Sequence, residues 1–284
     1  MKKIRVTVSE DIWRLLKKDS EEFGINNNKL CNFILDKFKY TKKFDIDKFI
    51  EPQGRPLKKV VQFDLNVANK NIYYDILRAN EVEVEAEFFR ELFEIYSSQF
   101  KYQREIFIFQ DTYKTILDAI KNKVKVRINY MKNSYTISPY FIKREDQGDE
   151  NFIFAYDDEN KLYKSLKLKD TIVLGILNEK IQIRDKKYIE NIRKNFDPFL
   201  GERLLIKAIF TSNGESMLRS FTNYKPKLLK KEDEIYYFEM TLENAKFYFS
   251  SFLKEVIIIE PEILREELKK SFLEAYKIYE HSDS

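Results

Sequence analysis

The chain has 284 residues, 43% hydrophobic and 35% charged, with a formal net charge of +4; this is material for about two globular domains, and too small a charge to indicate a partner unless it is unevenly spread. The only cysteine is Cys31 and the only histidine is His281, close to the C-terminus, which excludes internal disulfides, Ser-His and Cys-His dyads in an ordered core, and metal sites built from His or Cys. No apolar run approaches the ~20 residues of a membrane span, there is no Gly-rich phosphate loop, and the basic N-terminus lacks an apolar signal core, so the expectation is a cytoplasmic protein with no membrane attachment, metal or cofactor. Residues 1–40 read as a strand followed by two helices. Ile4, Val6 and Val8 alternate with Lys3, Arg5 and Thr7, giving a strand with one apolar and one basic-polar face. Ser9 is placed to cap the next helix, with Glu10 and Asp11 in a first turn where the helix dipole favours acids. Ile12, Leu15, Leu16 and Phe23 form its apolar side, and Gly24 stops it. Asn27 or Asn28 caps a second helix carrying Leu30, Ile34, Leu35 and Phe38. A lone strand leaves its backbone unpaired, so the unit requires a second copy.

This order resembles the ribbon-helix-helix nucleic-acid-binding unit. In that family the paired strands lie in the DNA major groove and the second helix presents its N-terminus to phosphate. The resemblance implies that Lys3, Arg5 and Thr7 read bases and that the amides following Asn28 hold phosphate. Residues 41–57, with Pro52, Gly54 and Pro56, read as a linker. In residues 58–105, Val61, Phe63 and Leu65 alternate and Asn66 can cap. Ile72, Tyr73, Ile76 and Leu77 follow at helical spacing, then a helix with Phe88, Phe89, Leu92, Phe93 and Tyr96. With Ile4 laid over Val61, Ser9 falls on Asn66. The segment therefore reads either as a degenerate second ribbon-helix-helix copy, pairing within the chain, or as a helical connector. Its outward strand positions are Val60, Gln62 and Asp64, and Glu81, Glu83, Glu85 and Glu87 crowd the start of its second helix. Such a copy repels phosphate and serves to complete the fold.

From about residue 111 the pattern changes. A helix through Ile116, Leu117 and Ile120 leads into five short strands at 123–130, 135–142, 151–156, 162–168 and 172–176, a small barrel or strongly curved sheet. In the first strand Val124, Val126, Ile128 and Tyr130 face one way and Lys123, Lys125, Arg127 and Asn129 the other. Residues 121–144 contain no acid, and Tyr130, Tyr135 and Tyr140 are interleaved with the cations; Tyr163 lies beside Lys161 and Lys164. Cations that track a backbone, with aromatics to stack bases, suit single-stranded nucleic acid. Asp149-Glu150 and Asp157-Asp158 fall in short polar runs and read as solvated hairpin tips.

These strands resemble a WYL domain, a Sm-like, SH3-type barrel of bacterial regulators. Ser138, Pro139, Tyr140 and Phe141 fit its Glu-Pro-Tyr-Gly element, Asn151 to Asp157 its naming strand, and Lys164 to Leu168 its Arg-Thr-Phe-Arg-Leu strand. Phe152, Ile153 and Phe154 occupy the Trp-Tyr-Leu positions, and Lys164 and Lys167 replace arginines. Lysine keeps the charge and loses the bidentate geometry, so the expectation is a general phosphate-binding surface and not a specific small-ligand pocket. Its residues are Lys123, Lys125, Arg127, Tyr130, Tyr140, Lys143, Arg144, Tyr163, Lys164 and Lys167.

With the domain taken as residues 106–195, residues 196–284 remain. They read as a strand, a turn at Asn213-Gly214, a helix, a strand over 234–242, a helix over 244–252, a strand over 255–259 and a final helix opened by Pro261. This order resembles the α/β sandwich extension that often follows WYL domains, which implies a homodimer. The stripe Leu264, Leu268, Phe272, Ala275, Tyr276 and Tyr279 equally suits packing within the domain's own core. The whole reads as an α+β chain. Its module order is similar to that of CRISPR-linked regulators, including type VI-D accessory WYL proteins. The resemblance implies a non-enzymatic homodimer that binds single-stranded RNA and modulates an RNA-guided CRISPR effector nuclease. The alternative is a DNA-binding transcriptional repressor acting through Lys3, Arg5 and Thr7, and a metal-dependent nuclease using Asp157 or Asp185 is the least supported reading.

Overall fold

A computed structural model describes residues 2–41, 57–144, 149–221 and 224–282; the expected linker at 41–57 lies almost wholly outside the described residues. The chain forms two compact units, residues 1–110 and 111–284, and helix and strand are mixed in both.

In the first unit, β1 (Lys3–Ser9) leads into α1 (Glu10–Glu22) and α2 (Asn27–Phe38). Then β2 (Leu57–Asp64) leads into α3 (Val67–Asn71), α4 (Tyr73–Ala79) and α5 (Glu85–Ser98), followed by α6 (Lys101–Ile108). β1 pairs antiparallel with β2 of the same chain, Ile4 opposite Phe63, Arg5 opposite Gln62 and Val6 opposite Val61. The two halves repeat each other in detail. Ser9 caps α1 by accepting from the Ile12 amide, and Asn66 caps α3 by accepting from the Asn69 amide. Leu30, Cys31, Ile34, Leu35 and Phe38 of α2 are buried, and so, at the same spacing, are Phe88, Phe89, Leu92, Phe93 and Tyr96 of α5. Asn32 of α2 donates to the Asp64 carbonyl at 2.9 Å, and Arg90 of α5 donates to the Thr7 carbonyl at 3.2 Å. Ile4, Val6, Val8, Val61 and Phe63 face the shared core, while Lys3, Arg5, Thr7, Val60 and Gln62 face outward. A bidentate ion pair locks α1 to α6: Arg104 donates to buried Asp19 at 2.7 and 3.2 Å, and the Tyr96 hydroxyl donates to the same carboxylate at 2.6 Å.

The second unit begins with α7 (Gln110–Asn122) and then β3 (Val124–Tyr130), β4 (Asn133–Arg144), β5 (Asn151–Asp157), β6 (Leu162–Lys167) and β7 (Thr171–Lys180). These five strands form one antiparallel sheet in the order β6-β5-β4-β3-β7. The two end strands are consecutive in the chain and joined by a single 3-10 turn, Leu168–Asp170. Laid flat, four interstrand steps of about 4.8 Å would hold those edges about 19 Å apart, beyond the reach of such a turn, so the sheet must curl until its edges approach. Val126, Ile128, Ile137, Ile153, Leu166 and Leu168 fill its interior.

After α8 (Lys186–Lys194) come β8 (Arg203–Phe210), α9 (Ser212–Ser220), β9 (Lys227–Glu232), β10 (Ile235–Thr241), α10 (Leu242–Ser250), β11 (Val256–Glu260) and α11 (Glu262–Ser282). The sheet order β11-β8-β10-β9, antiparallel throughout, is a split β-α-β arrangement. Two sequence expectations change here. β9 is an additional strand, and it escaped notice because all six of its residues are exposed and no alternation marks it. Asn213 and Gly214 lie inside α9 and not in a turn, because Thr211 caps that helix by accepting from the Gly214 amide. Of the C-terminal stripe, Leu264 and Leu268 join the core, whereas Phe272, Tyr276 and Tyr279 are exposed. Gly214 is needed for close approach: a Cβ there would stand 2.3 Å from the Glu255 carbonyl oxygen, which already accepts from the Thr211 amide. Gly214→Ala, a change that stabilises an ordinary helix by about 1 kcal/mol, is therefore expected to destabilise this unit by about 1–3 kcal/mol, read from the midpoint of urea unfolding.

Candidate nucleic-acid interface

The basic-strand residues do not form one open surface. Lys125 is held by Glu179 at 2.9 Å and by Asp158 at 3.7 Å. The Lys143 ammonium donates to the carbonyls of Arg193 and Lys194 at 2.7 and 3.4 Å, closing the C-terminal end of α8. Lys167 pairs with Glu150 at 2.8 Å, and Lys169 with the other oxygen of Glu150 at 2.7 Å. Arg144 is exposed at the end of β4. Lys123, at φ +53° between α7 and β3, and Arg127, in mid-strand, are exposed and have no side-chain partner among the described residues.

The aromatic residues divide as sharply. Tyr140 is buried against Phe154, its hydroxyl donates to the Gln182 carbonyl at 3.2 Å, and burial pushes that hydroxyl up to about 12. It packs the space between sheet and α8 and offers no face for stacking, contrary to expectation: Pro139 introduces a register shift, so the simple alternation along β4 does not carry through. Phe152, Ile153 and Phe154 are likewise interior. Tyr163, at the free edge of β6, packs on the outside of the same cluster, stacked on Phe154 at 5.5 Å with an interplanar angle of 6° and 4.8 Å from the Tyr188 ring.

A cleft of about 430 Å³ brings Tyr130, Tyr163 and Lys164 together at that edge. Tyr135, Asn133, Ser165 and Phe199 are among the other residues that line it. Ser165 Oγ is buried without a hydrogen-bond partner among the described residues. Lys164 lies 3.7 Å above the Tyr135 ring and 2.8 Å from Asp157. Asp157 is fully buried and accepts three further hydrogen bonds, from the Glu159 and Asn160 amides and the Asn160 side chain. If the Lys164 ammonium turned to a phosphate, Asp157 would keep these three hydrogen bonds and lose the cation that faces it. Phe199 was not apparent in the sequence. It is placed by Asp197, which accepts from the Phe199 amide at 2.9 Å and from the Thr241 amide and hydroxyl at 3.3 and 3.2 Å. The only sequence signal was an Asp-Pro pair after a helix, which marks a turn without saying what it borders.

Of the paired carboxylates, Asp149 is exposed as expected, whereas Glu150, Asp157 and Asp158 are not solvated tips. Burial alone would raise the Glu150 carboxyl, but the Lys167 and Lys169 ammoniums hold it down at about 2, and the Tyr224 hydroxyl donates to it at 3.1 Å. Asp157 is held at about 2 in the same way, by Lys164 and its turn amides overriding burial. Among the described residues no cluster of His, Cys, Asp and Glu could hold a metal ion, and no helix is long and apolar enough to cross a membrane.

In the first unit, Asn26 caps α2 in place of Asn27 or Asn28, accepting from the Lys29 amide at 2.8 Å. The Asn28 side chain accepts from the Asp64 amide at 3.2 Å and Asn27 donates to the Gln62 carbonyl at 3.2 Å. Both tie α2 to β2. Lys3, Arg5 and Thr7 remain exposed, facing strand positions Asp64, Gln62 and Val60.

No family model matches the chain, and neither does any curated protein. Among solved structures, a crystal structure of a CRISPR Cas-related protein is similar over 100% of this chain and 95% of that one, at 15% identity and a TM-score of 0.62. At that identity the likeness establishes a shared fold. Proteasome accessory factor B/C (PafBC) of Arthrobacter aurescens aligns over 95% of this chain and 49% of that chain, at 13% identity and a TM-score of 0.26, too low to bear on the argument.

Because Glu150 and Asp157 titrate near 2 when folded and near 4 when unfolded, their stabilisation is complete above about pH 4–5 and is lost as pH falls towards 2. Glu150→Gln is expected to lower stability at neutral pH and to flatten the loss between about pH 5 and pH 2, read from urea midpoints across that range.

Proposed function

We propose that this protein is a nucleic-acid-binding regulator that holds single-stranded RNA at the cleft of its second unit and performs no chemical step itself. The cleft carries the reading: three tyrosines and Phe199 around the Lys164 ammonium, with an amide and an unpartnered hydroxyl within reach. Aromatic rings stack any base, an ammonium takes phosphate, and amide and hydroxyl groups meet base edges. Exposed Arg127 on β3 is a further cation of the same unit with no side-chain partner among the described residues. The CRISPR setting, in which the protein would act on an RNA-guided RNase, is supported by the fold shared with a CRISPR Cas-related protein. The first unit is read as a ribbon-helix-helix folded within one chain, and the curled sheet as a WYL-type barrel. Self-association is assigned to the exposed stripe Phe272, Tyr276 and Tyr279 of α11. Asp157 and Asp185, the carboxylates a nuclease reading would need, are spent on a turn and on the cap of α8.

The repressor alternative keeps one observation in its favour, the exposed Lys3, Arg5 and Thr7. Only half of that ribbon is basic, however, and Lys2 at its edge is paired with Glu85 at 3.3 Å. Fluorescence anisotropy on the intact protein separates the two. Tyr135→Ala is expected to weaken a labelled single-stranded RNA by about tenfold, and Arg127→Glu to weaken it further at low salt. Unchanged RNA affinity in both variants, together with duplex DNA binding abolished by Arg5→Ala, would establish the repressor instead.

A further inference from the structure

Helices α9, α10 and α11 cover one face of the C-terminal sheet, through Ile206, Ala208, Phe210, Tyr236, Phe238, Met240 and Ile258. The opposite face carries no helix among the described residues, and its side chains align in rows that cross the strands. The middle row is Glu260, Lys207, Tyr237 and Lys230, each directly opposite the next on β11, β8, β10 and β9. Beside it runs Ile257, Ile209, Ile235 and Glu232, and on the other side Leu205, Glu239 and Lys227. Ile257 and Leu205 are 64% and 50% exposed. A single aromatic ring thus stands mid-strand on an open four-stranded sheet, flanked by lysines at 4.4 and 6.0 Å from its centroid.

Acids and bases are interspersed on this face, with Glu239 directly opposite Lys227. Glu260 and Glu239 lie towards β11 and β10, paired with Lys207 at 2.9 Å and Arg203 at 3.5 Å. β9, at the opposite edge, bears Lys227, Lys230 and Lys231 against one acid, Glu232. Lys231 turns to the helix side, to Glu215 at 3.0 Å. Lys227 is exposed with no side-chain partner among the described residues; Lys230 lies over the Tyr237 ring and is paired with its neighbour Glu232, both about half exposed, a pairing of little energetic weight. Lysines on an edge strand also deter edge-to-edge association, but that role calls for no aromatic ring on the face beside them.

We propose that this open face is a second platform for single-stranded nucleic acid, with a base stacked on Tyr237 and the sugar-phosphate backbone running along β9 against Lys227 and Lys230. The Lys230 ammonium, which lies over the ring, moves to a phosphate as the base takes its place. Four-stranded sheets of this topology with an aromatic on a central strand stack bases in the same way elsewhere. The inference rests on the RNA-binding reading above and extends it to a surface separate from the cleft.

The test is anisotropy titration of the intact protein with a labelled single-stranded RNA over a series of salt concentrations. Tyr237→Ala is expected to weaken binding about tenfold with an unchanged salt slope, because stacking involves no counterion release. Tyr237→Leu, which keeps the apolar contact and lowers the risk of misfolding, is expected to lose as much, and Tyr237→Phe, which keeps the ring, to restore it. The Lys227→Gln, Lys230→Gln double variant is expected to flatten the slope of log affinity against log salt by about 0.7 for each phosphate that is no longer neutralised. If Tyr135→Ala weakens binding while Tyr237→Ala and Tyr237→Leu do not, this platform is wrong and the cleft stands. If the unaltered protein binds no single-stranded RNA, both fail. If Tyr237→Ala changes the sedimenting mass and leaves RNA affinity untouched, the face is a protein interface and the proposal is overturned.

Discussion

Every strand carries backbone donors and acceptors that must find partners, and that one requirement shapes all three sheets. β1 alone would be a bare ribbon. The chain supplies β2 for it, and with β2 a second set of helices that repeats the first down to its caps and buried positions. The five-stranded sheet curls, since β6 and β7 are separated by one short turn, and leaves those two strands as its edges. The C-terminal sheet meets it by adding β9, whose lysines then occupy the outer edge. What remains open, the free edge of β6 and the uncovered face around Tyr237, is where a ligand can be met without undoing the fold.

Charge pairing then decides which cations are available. The sequence displays a long run of Lys and Arg without an acid between residues 121 and 144, yet the acids are delivered from elsewhere in the chain. Glu179 and Asp158 reach Lys125, Glu150 takes Lys167 and Lys169, and two carbonyls of α8 hold Lys143. If Lys167 turns away, Glu150 keeps Lys169 and the Tyr224 hydroxyl; if Lys164 turns away, buried Asp157 loses its cation and keeps three hydrogen bonds from neutral donors. Availability for phosphate thus depends on what each acid retains, and not on the lysine alone.

Much of the first unit was legible in the sequence because its signals are local. Alternation in residues 3–8, the cap at Ser9 and its counterpart at Asn66 are spacings within a few residues, and the buried face of each helix follows from a 3.6-residue period. The five strands of the curled sheet were legible for the same reason. Local reading failed where the deciding partner was distant. Asn213-Gly214 has the composition of a turn, but Thr211 caps a helix through it and Glu255 packs against the glycine. Tyr140 shares a pattern with Tyr130 and Tyr135, but only those two face the cleft. Asp197, Phe199 and the carboxylates that pair with the basic strands carry no periodic signal, since their roles exist only once remote segments meet.

The central claim is that nucleic acid is held by the second unit and not by the β1–β2 ribbon. Photo-crosslinking of the intact protein to single-stranded RNA containing 4-thiouridine, with the adducts mapped by tandem mass spectrometry, tests it most directly. Adducts on Tyr130, Tyr135, Tyr163 or Phe199 are the predicted result. Adducts confined to residues 1–110, centred on Arg5 and its neighbours, would contradict it.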